Sequence, residues 1–275
     1  MATRVRDAMR QRFGELRFEP TEKRVRVEHG GLPVAQTDRA VLVWEPRRIV
    51  PAYAVPSEDL QVEPVPAGPA EQAAADDTRI LHPGIPFSVH STPGEVLDIH
   101  LGEQVLEGAG FRPSDPELDG LTVLDFNAFD TWYEEAEKIF SHPRDPYHRV
   151  DVRPSDRRVR IELDGEVLAE SSRPMLLFET GLPPRFYLPV EDLVVGRTPT
   201  STRTACPYKG WASYWSFGDR DDLAWSYEDP LPDALRIKGY VAFWDEVVDV
   251  VVDDTGRDRP QSDFTEALKD EFGLD

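Results

Sequence analysis

The chain opens with Val5, Ala8, Met9, Phe13 and Leu16 at helical spacing. That spacing predicts an amphipathic helix packed on the first domain, with Gly14 loosening its last turn. The period then changes to two. In Arg24-Val25-Arg26-Val27-Glu28, apolar residues alternate with charged ones, the pattern of a strand with one buried face. His29-Gly30-Gly31 supplies a turn, Val34-Ala35 begins the return strand of a hairpin, and Ala40–Trp44 reads as a further apolar strand. The same text returns in the second half. Arg158-Val159-Arg160-Ile161-Glu162, Asp164-Gly165, Leu168-Ala169 and Met175–Glu179 repeat it in order, so Glu45 and Tyr53 line up with Glu179 and Tyr187. Ala54–Leu60 matches Leu188–Leu193 once one residue is dropped, which pairs Glu58 and Asp59 with Glu191 and Asp192. Phe126–Asp130 resembles Tyr240–Asp245. A repeat this long implies two copies of one domain, residues 1–150 and 151–275.

The copies diverge in the middle. Glu63–Asp77, rich in Pro and Ala without periodicity, reads as a flexible loop. Where the second copy has Thr204–Ser216, with the only cysteine and one lysine among four large aromatics, the first has Leu81–Ser91. His142–Pro154 is polar and proline-broken and reads as the linker. Ser262 or Asp263 caps a short final helix with Phe264, Leu268 and Phe272 on one face.

Composition narrows the function classes. Asp and Glu number 52 against 31 Lys and Arg, a formal charge of -21, and both halves are acidic. A phosphate-backbone binder needs a basic surface, so neither nucleic acid nor an anionic membrane is an expected partner. A single cysteine forms neither an intrachain disulfide nor a four-cysteine zinc site. No apolar run approaches the ~18 residues of a membrane helix, and a soluble cytoplasmic protein is the expectation.

The second copy carries Phe178-Glu179, Phe186-Tyr187-Leu188-Pro189, Glu191-Asp192-Leu193, Cys206-Pro207-Tyr208-Lys209-Gly210, Tyr214-Trp215, Trp225-Ser226-Tyr227 and Gly239–Phe243. With these motifs the sequence resembles the bacterial family catalogued as domain of unknown function 427, present twice. The resemblance implies a mainly β fold of tandem β-tent repeats, antiparallel sheets meeting at an angle around a cleft, with short peripheral helices. Related tents hold zinc with four cysteines, which this chain lacks. The family is also filed under a nucleotidyltransferase-like name, but no Gly-Ser turn followed by paired metal-binding aspartates is present. Asp249, Asp253 and Asp254, in or after a Val-rich strand, read mainly as solvated charges.

Several side chains carry candidate chemistry. An ammonium beside a thiol favours the thiolate, so Cys206 and Lys209 are the candidate catalytic pair, against a small buried cysteine and a salt-bridged lysine as the bland readings. Lys209 and Arg185 are candidate holders of an anionic group. Tyr208, Trp211 and Tyr214 offer a stacking wall, and Glu179, Tyr187 and Asp192 supply polar contacts. All six histidines precede residue 151, so a Cys/His pair would have to cross between copies. His82, His90 and His100 with Asp98 are a candidate metal set, though their spacing is not diagnostic; no metal or cofactor is assigned. The leading expectation is a small anionic or aromatic ligand in the cleft of the second copy, bound or also transformed there, with a non-catalytic protein-interaction module as the alternative. Oligomeric state and enzymatic status stay open.

Overall fold

The computed structural model describes residues 2–69, 71–72 and 80–274. The chain divides into two units, Met1–Asp145 and Pro146–Asp275. The first has helix α1 (Val5–Gln11) and strands β1 (Arg17–Pro20), β2 (Val25–His29), β3 (Leu32–Thr37), β4 (Val41–Trp44), β5 (Ala52–Pro56) and β6 (Glu63–Pro69). It continues with β7 (Glu71–Gln72), β8 (Val89–His90), β9 (Gly94–Leu101), β10 (Gln104–Pro113), β11 (Leu121–Leu124), β12 (Thr131–Glu134) and β13 (Glu137–Ile139). The second has β14 (Val150–Pro154), β15 (Val159–Leu163), β16 (Glu166–Ser171), β17 (Met175–Glu179), β18 (Arg185–Pro189) and β19 (Thr198–Cys206). It ends with β20 (Gly210–Phe217), β21 (Arg220–Tyr227), β22 (Tyr240–Phe243), β23 (Asp249–Val252), β24 (Thr255–Gly256) and helix α2 (Asp263–Phe272).

Each unit contains a seven-stranded and a four-stranded sheet. The large sheets run β1-β4-β5-β11-β10-β9-β6 and β14-β17-β18-β22-β21-β20-β19, which is one order written twice. The small sheets, β3-β2-β12-β13 and β16-β15-β23-β24, match as well. The protein is mainly β, built of antiparallel sheets in two similar halves, because period-2 patterning puts one face of each strand out of water. In the second unit Val159, Ile161, Val250 and Val252 of the small sheet pack on Phe186, Leu188, Phe217, Val241 and Phe243 of the large one. In the first, Val25, Val27 and Trp132 pack on Leu42, Trp44, Tyr53 and Ile99. The space between the sheets is therefore core, not a ligand cleft.

The large sheet buries its other face too. In the second unit that outer face carries Leu177, Tyr187, Ala212, Tyr214, Trp225, Tyr227, Ala242 and Trp244 under the 3-10 turn Pro232–Ile237, with Phe272 of α2 against it. The Ser262 hydroxyl caps α2 by accepting from Thr265 N at 3.2 Å.

Strand register corrects the sequence alignment. Val41 pairs Ala54 and Met175 pairs Tyr187; across the next ladder Ala54 faces Val123 and Tyr187 faces Ala242. Ala54 is thus the counterpart of Tyr187, and Tyr53 that of Phe186. The residue dropped between the copies lies before β18, not after it, and a one-residue slip moves a side chain to the opposite face. Likewise Leu121–Leu124, not Phe126–Asp130, corresponds to Tyr240–Phe243.

Three local expectations also change. Glu63–Pro69 is a strand paired with β9, with Pro64 opposite Ile99 and Pro66 opposite Leu97. It forms the sheet edge, where alternate prolines leave no ladder donor unmade. Glu71–Gln72 pairs with Val89–His90, while Ala70 and 73–77 of that predicted loop lie outside the described residues. Helix α1 is only about two turns long, and its Val5 and Met9 are exposed rather than packed. Finally Val150–Pro154, read as linker, is an edge strand equivalent to β1, so His148 belongs to the second unit.

Candidate functional site

Cys206 ends β19 and faces Gly210 at the start of β20, so Pro207-Tyr208-Lys209 closes a tight hairpin. Lys209 N donates to Cys206 O at 3.3 Å, and Leu231 N donates to Lys209 O at 3.1 Å, which ties the turn to the segment entering Pro232–Ile237. Gly210 has φ +101°, and a Cβ there would lie 3.2 Å from Asp229 O. The positive φ favours glycine, and the close approach leaves little room for a side chain.

The turn drives Lys209 into the outer face of the large sheet. Its Nζ donates to Glu179 Oε2, at the end of β17, and both side chains are buried or nearly so. The other oxygen, Oε1, is 3.0 Å from His148 Nε2, and the imidazole stacks on Tyr208 with ring centroids 4.2 Å apart. A largely buried His148–Glu179–Lys209 chain results. Burial pushes the Glu179 carboxyl up, but Lys209 and His148 outweigh it and hold it down at about 2. Burial likewise opposes the Lys209 charge, yet Glu179, then Cys206 and Tyr187, raise it above its ordinary value. Cys206, at the other side of the same hairpin, is half-buried and adds to the field that raises Lys209.

A tyrosine–tryptophan layer backs this chain. Tyr187 OH accepts from Trp225 Nε1 at 3.0 Å, and burial raises the phenol. Burial raises Tyr227 as well, with Tyr187, Cys206 and Glu179 adding to it. Tyr214 is pushed up to about 12 by burial, against a 3.0 Å hydrogen bond with Thr204. These phenols stay neutral at physiological pH and act as hydrogen-bonding groups.

Of the residues singled out in the sequence, the structure brings Cys206, Tyr208, Lys209, Glu179 and Tyr187 together, with Tyr214 on the same face. Three others are engaged elsewhere or face away. Arg185 lies on that face but is committed. Its Nη1 and Nη2 donate to Glu246 at 2.7 and 2.6 Å, Asp245 is 3.7 Å away, and Trp225 and Trp244 flank it. Asp192 is held by Arg173 at 3.1 Å, as Glu191 is at 3.0 Å. Trp211 is 56% exposed, facing away from the buried Ala212 and Tyr214. Lys209's carboxylate is Glu179, not Glu191 or Asp192.

The histidines in the first unit do not assemble. His82 Nδ1 accepts from Gly84 N at 3.2 Å, Asp98 Oδ1 accepts from Gly108 N at 2.7 Å, and His90 is bound to Glu45. Among the described residues no three His, Cys, Asp or Glu side chains are placed to hold a metal ion. Asp249 and Asp253 sit in surface ion pairs with Arg259 and Arg157. Nor does the chain contain a helix, among those residues, long and apolar enough to cross a membrane.

Sequence reading missed His148 and the Arg185–Glu246 pair. Val150 and Val152 alternate with polar residues, a strand signal that would have moved the boundary and brought His148 into the second unit. Glu246 gave no signal beyond its charge.

The family comparison agrees with this architecture. Domain of unknown function 427 matches residues 17–74 and 151–254, together more than half of the chain, and the protein belongs to that family. The two matched segments fall one in each unit. No curated protein matches the chain.

Proposed function

We propose that the second unit is the working copy and binds a small molecule at the Cys206–Gly210 turn, with Cys206 as its reactive group. One observation carries this reading: a largely buried His148–Glu179–Lys209 chain starts from the same tight hairpin that holds the half-buried Cys206. Buried ion pairs return little stability for their desolvation, so one placed at a tight turn supports a role in positioning a group. Lys209 is compensated by Glu179 and Arg185 by Glu246, so neither offers a bare cation. The class of ligand this favours is a small molecule with one electrophilic group for the thiol, rather than a multiply charged anion. A protein-interaction role is the second reading, carried by the exposed indole of Trp211 on β20.

Alkylation of the native protein with iodoacetamide separates the two. Fast labelling of Cys206 at neutral pH, slowed at least tenfold in Lys209→Met and unchanged in Trp211→Ala, is the expected outcome. Labelling only after denaturation would assign the cysteine to packing and remove the thiol from the function.

A further inference from the structure

In the first unit the segment Phe87–Ser91 is held by side chains and backbone on both sides of His90. The connection between β6 and β9 is far longer than the tight turn between β19 and β20, and its described C-terminal part returns to the outer face of the large sheet. There His90 is fully buried. Its Nδ1 donates to Glu45 Oε1 at 2.9 Å, and its ring lies on Phe111, 3.7 Å between centroids and 9° from parallel. Phe87 meets the same ring edge-on at 5.1 Å. The residues on either side of His90 are gripped as well. Arg48 Nη2 donates to Val89 O at 2.5 Å, Ser91 N donates to Glu45 Oε2 at 2.8 Å, and Ser91 Oγ donates to Pro46 O at 2.6 Å.

Register shows what this segment replaces. Phe111 pairs Val123 as Trp225 pairs Ala242, so Phe111 stands where the second unit has Trp225. Glu45 stands for Glu179 and Ala54 for Tyr187. Ala54, packed in the same cluster as Phe111, carries no ring where the other copy has that of Tyr187, and it is on Phe111 that the imidazole of His90 lies. Gly94 supports the arrangement from β9. A Cβ there would come within 2.2 Å of Phe111 Cζ, so the ring is seated against bare backbone.

A second observation points the same way. The other nitrogen of the occupant, His90 Nε2, is buried and has no hydrogen-bond partner among the described residues. An ordinary core histidine satisfies both nitrogens; this one is read by a single carboxylate and one aromatic face. The geometry points to a binding site for an imidazole-type ring on the first unit, formed by Glu45 and Phe111 and occupied in cis by His90. This inference concerns the first unit and stands apart from the thiol reading of the second.

The test is replacement of the occupant. Full-length His90→Ala should unfold at lower temperature than the wild type. Free imidazole should raise its midpoint in a saturable way while leaving the wild type unmoved. Adding Glu45→Gln should weaken the imidazole response at least tenfold. An equal response in wild type and His90→Ala, or one that survives Glu45→Gln, overturns the assignment. Should His90→Ala fail to fold, nitrogen-15 NMR of the wild-type histidine rings decides. A His90 proton fixed on Nδ1 with Nε2 bare supports the site, and a proton on Nε2 alone overturns it.

Discussion

Glu45 and Glu179 occupy one position in two copies of the same sheet, and each ends up out of water with an imidazole on it. The histidines come from unrelated places. His90 follows a long insertion after β6, whereas His148 precedes the first strand of its unit. Both rings also stack on an aromatic, Phe111 in one case and Tyr208 in the other. The carboxylate position was kept and its partner was found anew, which is what the physics of a buried charge demands. A carboxylate taken out of water needs donors, and any segment that can deliver one serves. The copies differ in what else arrives. The second adds an ammonium, Lys209, and a thiol. The first adds Arg48, 3.9 Å from Glu45, whose pKa burial lowers despite that carboxylate.

The sharpest way to break this comparison is to neutralise the two carboxylates in turn. Glu179→Gln leaves the Lys209 ammonium buried without its counter-charge, and about 3–5 kcal/mol of stability should be lost. Glu45→Gln keeps one side-chain oxygen to accept from His90, and Arg48 retains Val89 O, so about 1–2 kcal/mol is expected. Urea denaturation of both variants measures the difference. Equal losses would mean that Lys209 does not distinguish the copies.

A smaller effect comes from pH, and its sign differs between two carboxyls of the second unit. Glu179 is held at about 2 against 4.5. Its folded pKa is depressed, so its contribution is present above pH 4.5 and lost as the pH falls towards 2. Each tenfold change in proton affinity is worth about 1.4 kcal/mol, so the span is on the order of 3 kcal/mol. Asp245 goes the other way. Burial, reinforced by Glu246 and opposed by Arg185, pushes it up to about 6 from 3.8. Stability linked to it is present below pH 3.8 and lost as the pH rises through 6. Asp245→Asn should therefore match the wild type near pH ~4 and exceed it at pH ~7, by up to about 3 kcal/mol. A variant that is less stable at neutral pH would show that Asp245 is needed ionised beside Arg185. Position 126 holds Phe where the other copy has Asp245; in the first unit it is the neighbouring Asp125 that burial raises, opposed by Arg48.

How far the sequence could be read depends on range. Strands such as Val25–His29 and Val159–Leu163 were legible because alternation is a local signal tied to one buried face. The turn at Cys206–Gly210 was legible because Pro and Gly punctuate it. Prolines misdirected the reading of Glu63–Pro69, since an edge strand tolerates them and composition alone does not reveal an edge. Tyr53 was matched to Tyr187 by letter, but only ladder partners show on which side of β18 the missing residue lies. The partners of Lys209 and Arg185 were not legible at all. Glu179 and Glu246 are distant in sequence, and in a chain with 52 acidic residues no rule of spacing selects them.

The smallest effect tests an ion-pair cluster that both copies reproduce. Arg39 holds Glu58 and Asp59 at 2.9 and 2.8 Å, and Arg173 holds Glu191 and Asp192 at 3.0 and 3.1 Å. In each unit the arginine is raised by these carboxylates, hydrogen bonds first. The arginines are more than half exposed, so water and salt screen the attraction, and ordering the long side chain offsets part of what remains. Arg39→Ala and Arg173→Ala should thus lower the urea midpoint slightly and alike, and the shift should vanish in high salt. A shift in Arg173→Ala that persists in high salt and is absent in Arg39→Ala would place Asp192 in the working site of the second unit, and would make the likeness of the two pairs superficial.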